Sequence, residues 1–315
     1  MRISTSMMFE LSQSAMQSRQ SDLTKIGEQM SSGKRIVSPS DDPRAASQAL
    51  VVKQDQAIQS QYDSSRTSAT ATLSAQESTL QSVTDLMLKA KELVVQGSNG
   101  TLTDTDRESI ATQMEGLYDQ LVGLANSKDS NGLYMFSGSQ GDVQPFTADT
   151  DADGNFAMTY AGDDKALNMQ VDASRSMNVN ATGSDVFKVP ATSKDAESDL
   201  FTTFQLAITS LRTPQTDDNQ DELSAQMNQV NRQIDAGSDN ILQERSSIGT
   251  KLNELDVLSD IGSTRNINNE SRLSDLQDLD YAEAISRYTL AQIGLEASQK
   301  MFTQVQQTSL FSLIR

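Results

Sequence analysis

The 315-residue chain contains no Cys, His or Trp. Without His it has no side chain whose ordinary pKa lies near neutrality, and without Cys it has no thiolate nucleophile or thiolate metal ligand. Two of the side chains most often used for catalysis and metal binding are therefore missing, although carboxylates, Lys, Ser and Tyr remain. We expect a protein that is not an enzyme and that has no catalytic residues, no metal site and no cofactor.

The net charge of −18 is unevenly distributed along the chain. Residues 1–43 carry five basic and five acidic side chains, and residues 281–315 carry three basic and two acidic ones, so the excess of acid lies in the middle. An acidic body repels nucleic acids and anionic membrane surfaces, so we expect neither as a partner. Nearly neutral ends can approach identical copies closely, and this distribution therefore indicates self-assembly through the termini.

The sequence has no segment with the roughly 18 to 20 apolar residues that a membrane-spanning helix needs. The residues after Met1 are polar and lack the apolar core of a secretory signal. If the protein leaves the cell, we expect a route that does not cleave a signal peptide.

Residues 45–94 are predicted to form one long helix, with Asp42 as its N-cap and Pro43 as its first residue. Roughly 50 helical residues would span about 75 Å, so this helix needs a partner helix beside it. A second helix begins at a capping-box pattern, Thr103 with Asp106, and a short Gly-containing loop predicts an antiparallel hairpin of the two. The heptad of the first helix consists of Ala69, Leu73, Gln76, Leu80, Val83, Met87, Ala90 and Val94.

Between about residues 133 and 195 the sequence is typical of short strands separated by Gly, Asn and Asp turns. The predicted strands are 133–136, 155–160, 167–171 and 177–180. Helical periodicity then returns, with a short helix over 201–211, a long helix over 227–255, a polar bend or loop at 262–272 and a last helix over 284–305.

These elements predict a mainly α fold, an elongated rod of long antiparallel coiled-coil helices formed by both chain ends, with a small β-rich inserted domain. The alternative is an ordinary helical bundle with an inserted domain. We expect three parts, namely an axial terminal-helix domain of residues 1–41 and 281–315, a helical rod domain of 42–132 and 199–280, and a β-rich outer insert of 133–198.

Three stretches of the sequence carry a family resemblance. Residues 26–43 read IGEQMSSGKRIVSPSDDP, residues 131–138 read NGLYMFSG, and the C-terminal part contains ESRL at 270–273, DYA at 280–282 and SLFSLIR at 309–315. In this order they resemble the two ends of the flagellins and their relatives. The chain is therefore identified as a member of the flagellin superfamily.

Within that superfamily, the first ten residues, MRISTSMMFE, resemble the hook-associated proteins, whereas flagellins usually begin with an Asn-rich stretch. The resemblance implies a structural subunit outside the cell that joins the flagellar hook to the filament. It implies as partners further copies of the chain, hook-associated protein 1 on the hook side, flagellin on the filament side, and an export chaperone and the type III export apparatus of the flagellum. The alternatives are a filament-forming flagellin and, less favoured, an acidic binding module or a carboxylate-based enzyme.

Both ends of the chain are amphipathic, with apolar stripes too thin to offset the entropy of ordering alone. We therefore expect residues 1–41 and 281–315 to be mobile in the monomer and helical in the assembly. The contacts of this axial assembly interface are assigned to Met7, Leu11, Ala15, Leu23, Ile26, Met30, Ala284, Tyr288, Ala291, Leu295, Phe302, Val305 and Leu310.

Two motifs have competing interpretations. Residues 149–154, DTDADG, match the first half of a calcium loop, but Tyr160 holds the twelfth position, where a bidentate Glu is needed, so we favour a solvated turn. Gly33 with Lys34 and Arg35 could form a phosphate site, but the flanking Walker pattern is absent, and we favour a helix stop.

Overall fold

The structure is a computed structural model that describes residues 5–150, 156–216 and 218–313. It is mainly α and divides into two compact units. The terminal unit consists of Met1–Gln59 with Ser263–Arg315, and the middle unit is Ser60–Gly262. The helices are α1 Thr5–Ser32, α2 Pro43–Gly97, α3 Asp104–Ala125, α4 Gly183–Val186, α5 Leu200–Arg212, α6 Gln220–Gln277 and α7 Tyr281–Leu313.

In the terminal unit, α1 and α7 pack against each other in antiparallel directions. The Tyr281 hydroxyl at the start of α7 donates to the Met30 carbonyl near the end of α1, at 3.2 Å. At the other end of the pair, the ring centroids of Phe9 and Phe302 are 5.1 Å apart. The two ends of the chain therefore form one helix pair, as the sequence predicts.

The middle unit contains two antiparallel helix pairs. Arg245 of α6 forms an ion pair with Glu77 of α2 at 2.7 Å, and a second ion pair, Lys91 with Asp235, lies further along the same helices. Helix α3 packs against α5, and Arg212 near the end of α5 reaches Glu115 of α3 at 2.9 Å. All eight predicted heptad residues of α2 are at most 1% exposed, which confirms the predicted seam.

The strands form three separate two-stranded antiparallel sheets, in which β1 pairs with β2, β3 with β4 and β5 with β6. They are β1 Phe146–Thr150, β2 Phe156–Tyr160, β3 Asn168–Asp172, β4 Arg175–Asn178, β5 Lys188–Val189 and β6 Ser198–Asp199.

An aromatic cluster of Phe136, Phe146, Phe187 and Phe201 joins these sheets to the helices of the middle unit. The ring centroids of Phe146 and Phe201 are 4.7 Å apart, and those of Phe136 and Phe187 are 5.4 Å apart. The strand-containing segment therefore shares a core with α5. The buried heptad residue Gln76 adds a polar link to the same segment, because its side chain donates to the Met135 carbonyl at 3.0 Å and accepts from the Ala181 N–H at 3.2 Å.

Two predicted elements are wrong. Residues 262–272 are not a bend, because α6 continues unbroken through them to Gln277. This stretch is polar but contains no proline, and its side chains are almost all exposed, so nothing forces the backbone out of the helix. Residues 133–136 are not a strand, because only an isolated bridge between Lys128 and Tyr134 forms there. The adjacent Met135 and Phe136 are both buried, which a half-buried strand with alternating faces does not allow.

The predicted strands at 155–160, 167–171 and 177–180 and the short helix over 201–211 agree with β2, β3, β4 and α5 within a few residues. Helices α6 and α7 are longer than predicted, and β1, β5, β6 and α4 were not predicted. Pro43 starts α2, and the Asp42 carboxylate caps it by accepting from the Ala45 N–H at 3.0 Å. The capping box of Thr103 and Asp106 is present at the start of α3. Across the described parts of the chain, no helix is both long and apolar enough to cross a membrane.

Candidate assembly surface

The seam between α1 and α7 contains most of the predicted interface residues. Ala284 is fully buried and Ala291 is 8% exposed, and their small side chains let the two helices approach closely. The remaining predicted residues in the seam are half-buried, namely Leu23, Ile26, Met30, Tyr288, Leu295 and Phe302. The heptad of α7 is therefore used inside the chain, against α1.

Three predicted interface residues of α1 lie outside this seam. Met7 is 55% exposed and Leu11 is 59% exposed, and Ala15 is exposed as well. The half-buried Met16 occupies the seam side of this part of α1 instead, together with Phe9, which is 39% exposed and packs against the Phe302 ring at a tilt of 44°. Val305 and Leu310 belong to the part of α7 whose side chains the structure does not describe.

A second apolar stripe on α7 is absent from the prediction. We call Leu290, Ile293 and Met301 the outer stripe of α7. They are 67%, 57% and 67% exposed and recur at helical spacing on a side of α7 turned away from Ala284 and Ala291. The spacings of three and eight residues were present in the sequence, but the stronger heptad of the seam obscured them. An exposed apolar row of this kind typically marks a contact with another protein.

The segment that connects α1 to α2 is fixed by hydrogen bonds to the end of α6. The Arg35 N–H donates to the Gln277 carbonyl at 2.7 Å, and its guanidinium donates to the Leu276 carbonyl at 2.9 Å. The Gln29 side chain, which is 7% exposed, donates in turn to the Arg35 carbonyl at 2.6 Å. These bonds hold the end of α1 and the start of α7 at one place, which sets the register of the pair.

Gly33 ends α1 with a φ of 69°, a left-handed conformation that a residue with a Cβ adopts at a cost. The predicted helix stop is therefore confirmed. The Gly33 carbonyl accepts from the Leu279 N–H at 3.1 Å, which ties this turn to the segment before α7. A Cβ at position 33 would lie 3.2 Å from the Tyr281 hydroxyl, so the turn is also tightly packed.

Asp41 and Asp42 stabilise the turn that follows. Lys25 of α1 donates to the Asp41 carboxylate at 2.7 Å and lowers its pKa, with further lowering by the N–H groups of Ser38 and Val37. The pKa of Asp42 is lowered chiefly by the Ala45 N–H that it caps, and also by Arg35. Both carboxylates therefore act as local structural groups and show none of the raised pKa of a general acid.

The described residues contain no group of three or more metal-ligating side chains. Of the candidate calcium loop, residues 151–154 lie outside the part of the chain that the structure describes.

Two family models match the chain. Residues 3–141 match the bacterial flagellin N-terminal helical region, and residues 231–314 match the bacterial flagellin C-terminal helical region. The flagellar hook-associated protein 3 of Salmonella typhimurium is 41% identical over 324 aligned residues, which cover 100% of both chains. The chain belongs to the flagellar hook-associated protein 3 family. A flagellin of Bacillus subtilis is more distant, at 26% identity over 89% of this chain and 88% of its own.

Among solved structures, the flagellar junction protein of Legionella pneumophila superposes with a TM-score of 0.60 and 20% identity, covering 73% of this chain and 100% of that one. This likeness shows a shared fold. Membership of the hook-associated protein 3 family makes the chain a flagellar protein, and the two flagellin models cover α1, α2 and α3 at one end and most of α6 with α7 at the other.

Proposed function

We propose that the chain is the structural subunit that joins the flagellar hook to the filament, and that it is not an enzyme. The observation that carries this proposal is the full-length similarity to a hook-associated protein 3, at 41% identity against 26% for a flagellin. The absence of Cys and His from the sequence supports a structural role.

The two apolar faces of α7 support assembly through the chain ends. One face is used against α1, and the outer stripe of Leu290, Ile293 and Met301 is exposed. Burying apolar surface stabilises an interface by about 25 cal/mol per Å². Together with the exposed Met7 and Leu11 of α1, the outer stripe would contact neighbouring subunits, and the seam residues would hold the pair in the shape that presents it.

The proposed partners are further copies of this chain, hook-associated protein 1 on the hook side and flagellin on the filament side. Before assembly the chain would leave the cell through the flagellar type III apparatus without a cleaved signal, with a chaperone covering its C-terminal helix. The apolar outer stripe of α7 supports the chaperone proposal, because such a surface promotes aggregation when it is left uncovered.

The proposed division into parts follows the same scheme. Residues 1–41 and 281–315, which contain α1 and α7, form the axial part; residues 42–132 and 199–280 form the helical part around it; and residues 133–198 form the outer insert. Of the strands in the described residues, β1 to β5 lie within 133–198, and this supports the last boundary.

The test of function is deletion of the gene, followed by electron microscopy of the cells and measurement of flagellin in the medium. Bare hooks with flagellin in the medium are the expected result, because filament subunits would be exported with nothing to bind. Bare hooks with no flagellin in the medium would instead make the chain the filament subunit. Normal flagella would overturn both functions.

The assembly surface is tested by complementing that deletion with Leu295→Asp. Leu295 is half-buried in the seam, so a carboxylate there should separate α7 from α1, abolish filaments and leave the middle unit folded. Filaments are counted by electron microscopy, and folding of the middle unit is followed by its thermal unfolding. Gln299→Asp is the matched control, because it adds the same charge at an exposed position of α7. Full filament numbers with Leu295→Asp would contradict the assignment.

A further inference from the structure

The middle unit buries an arginine that has no acidic partner among the described residues. Arg107 of α3 is 4% exposed. Its guanidinium donates to the Ser210 carbonyl at 2.6 Å and to the Gln215 side-chain oxygen at 3.4 Å, and its Nε–H has no hydrogen-bond acceptor. In the described parts of the chain, no carboxylate lies within ion-pairing distance of this guanidinium.

The other buried arginine of the middle unit shows what is unusual here. Arg66 is 3% exposed, and it pairs with the Asp63 carboxylate at 3.2 Å besides donating to the Val171 carbonyl. A buried cation is costly unless an anion and hydrogen bonds compensate the lost hydration. The Nε–H of Arg66 also has no acceptor, so the two arginines differ in the carboxylate: Arg66 has one, whereas the described partners of Arg107 are neutral oxygens.

Arg107 lines a polar cavity of about 60 Å³. A cavity needs roughly 10–15 Å³ to hold one water molecule, so this one has room for a small polyatomic ion. Its other polar walls come from the loop after α2, from Gln215 and from the first turns of α6, and they include Ser98, Asn99, Gln220, Ser224 and Asn228.

The first turn of α6 adds a second source of positive potential. Gln220 is its first residue, and the N–H groups of a first helical turn have no partner within the helix. Helix N-termini and guanidinium groups both favour anions with several oxygens. Hydroxyl and amide side chains such as Ser224 and Asn228 can donate further hydrogen bonds to such oxygens.

We propose that this cavity binds a small inorganic oxyanion, of the phosphate or sulfate type, on the Arg107 guanidinium. The anion supplies a negative charge that no described side chain places against the guanidinium, and it connects the loop after α2 to the start of α6. The exposed Asp221 and Glu222 in the first turn of α6 oppose it, so the expected affinity is weak, with a dissociation constant of about 1 mM. This inference is independent of the proposed junction function.

The first test measures the melting temperature of the full chain against phosphate concentration, with sodium chloride adjusted to hold ionic strength constant. A ligand that binds only the folded state raises the melting temperature in proportion to the logarithm of its concentration once that concentration exceeds the dissociation constant. We expect such a rise for the wild type and none for Arg107→Gln. Arg212→Gln is the matched control, because Arg212 is an exposed arginine that pairs with Glu108 and Glu115, and it should behave as the wild type.

An equal rise in all three proteins would mean general salting-out by phosphate and would overturn the proposal. Because Arg107→Gln could fail to fold, a second experiment uses the wild type alone. Crystals of the full chain are soaked in selenate, and anomalous difference density is expected beside Arg107. No density there at about 50 mM selenate, which is far above the expected dissociation constant, would also overturn it.

Discussion

The two units of this chain bury different kinds of side chain. The middle unit buries large aromatic and aliphatic residues, among them Phe136, Phe187 and Phe204, each at most 1% exposed. In the described part of the terminal unit, the buried apolar residues are Ile36, Ala45, Ala49, Val52, Leu279, Ala284 and Ala291, of which four are alanines. The middle unit thus has a hydrophobic core of large side chains, whereas the terminal unit has a narrow seam of mostly small ones.

The difference has an energetic consequence. Each buried methylene stabilises the folded state by about 0.8 kcal/mol, whereas ordering one residue costs about 1–2 kcal/mol of backbone entropy. An alanine seam offsets little of that cost, while an aromatic cluster offsets much more. The middle unit should therefore be stable alone, and the terminal unit should gain its stability when neighbouring subunits cover its exposed apolar faces.

Removing a ring from the aromatic cluster gives the largest expected effect. Phe136 is fully buried and packs against Phe187, so Phe136→Ala should lower the free energy of unfolding by about 3–5 kcal/mol. Denaturant unfolding followed by circular dichroism measures it. Phe302→Ala, which removes a half-buried ring from the terminal seam, is the control and should leave the main transition nearly unchanged. An equal loss of unfolding free energy in the two variants would contradict the proposed difference in stability between the two units.

Two glycine-to-alanine substitutions in the terminal unit should change its stability by smaller amounts and in opposite directions. Gly33→Ala should destabilise the helix pair by about 1–2 kcal/mol, because a Cβ opposes its positive φ. Gly27 lies within α1 with nothing within 4 Å of a Cβ, so Gly27→Ala should stabilise α1 by up to about 1 kcal/mol. Hydrogen exchange of the α1 amides reports both changes, and a shift in the same direction for both would contradict the described turn.

The smallest expected effect concerns pH. The Lys25 hydrogen bond lowers the pKa of Asp41 below its ordinary value of 3.8. A carboxyl with a lowered folded pKa stabilises the fold above its unfolded pKa, and that stabilisation is lost as the pH falls through the folded value. The terminal unit should therefore weaken below about pH 4. Carbon-detected NMR titration of Asp41 measures its pKa, which should rise in Lys25→Met. An unchanged pKa in that variant would contradict the role of Lys25.

Local rules explain which parts of the fold could be read from the sequence. The starts of α2 and α3 could be predicted from their capping residues, and the seam of α2 could be predicted from its heptad. The heptad correctly included the polar Gln76, although its hydrogen-bond partners lie far along the chain. The continuity of α6 through 262–272 was missed because polar composition resembles a loop, although a helix needs only the absence of breakers there.

Features formed by distant segments were less accessible. Residues 133–136 have strand-like composition, but they pack as a turn because Phe136 meets Phe187 from another segment. The outer stripe of α7 follows a helical spacing in the sequence, but the seam heptad of the same helix has more apolar residues and dominates the pattern. The cavity at Arg107 could not be foreseen, because the loop after α2, α3 and the start of α6 meet there only in the folded chain.

The central claim is that the terminal helix pair depends on assembly for its stability while the middle unit does not. Amide hydrogen exchange of the isolated full-length chain tests it most directly, because exchange reports local opening segment by segment. We predict that amides of α1 and α7 exchange at least about 100-fold faster than those of α3 and α5, and that they become protected when the chain is assembled. Protection of α1 and α7 in the monomer equal to that of α3 and α5 would contradict the claim.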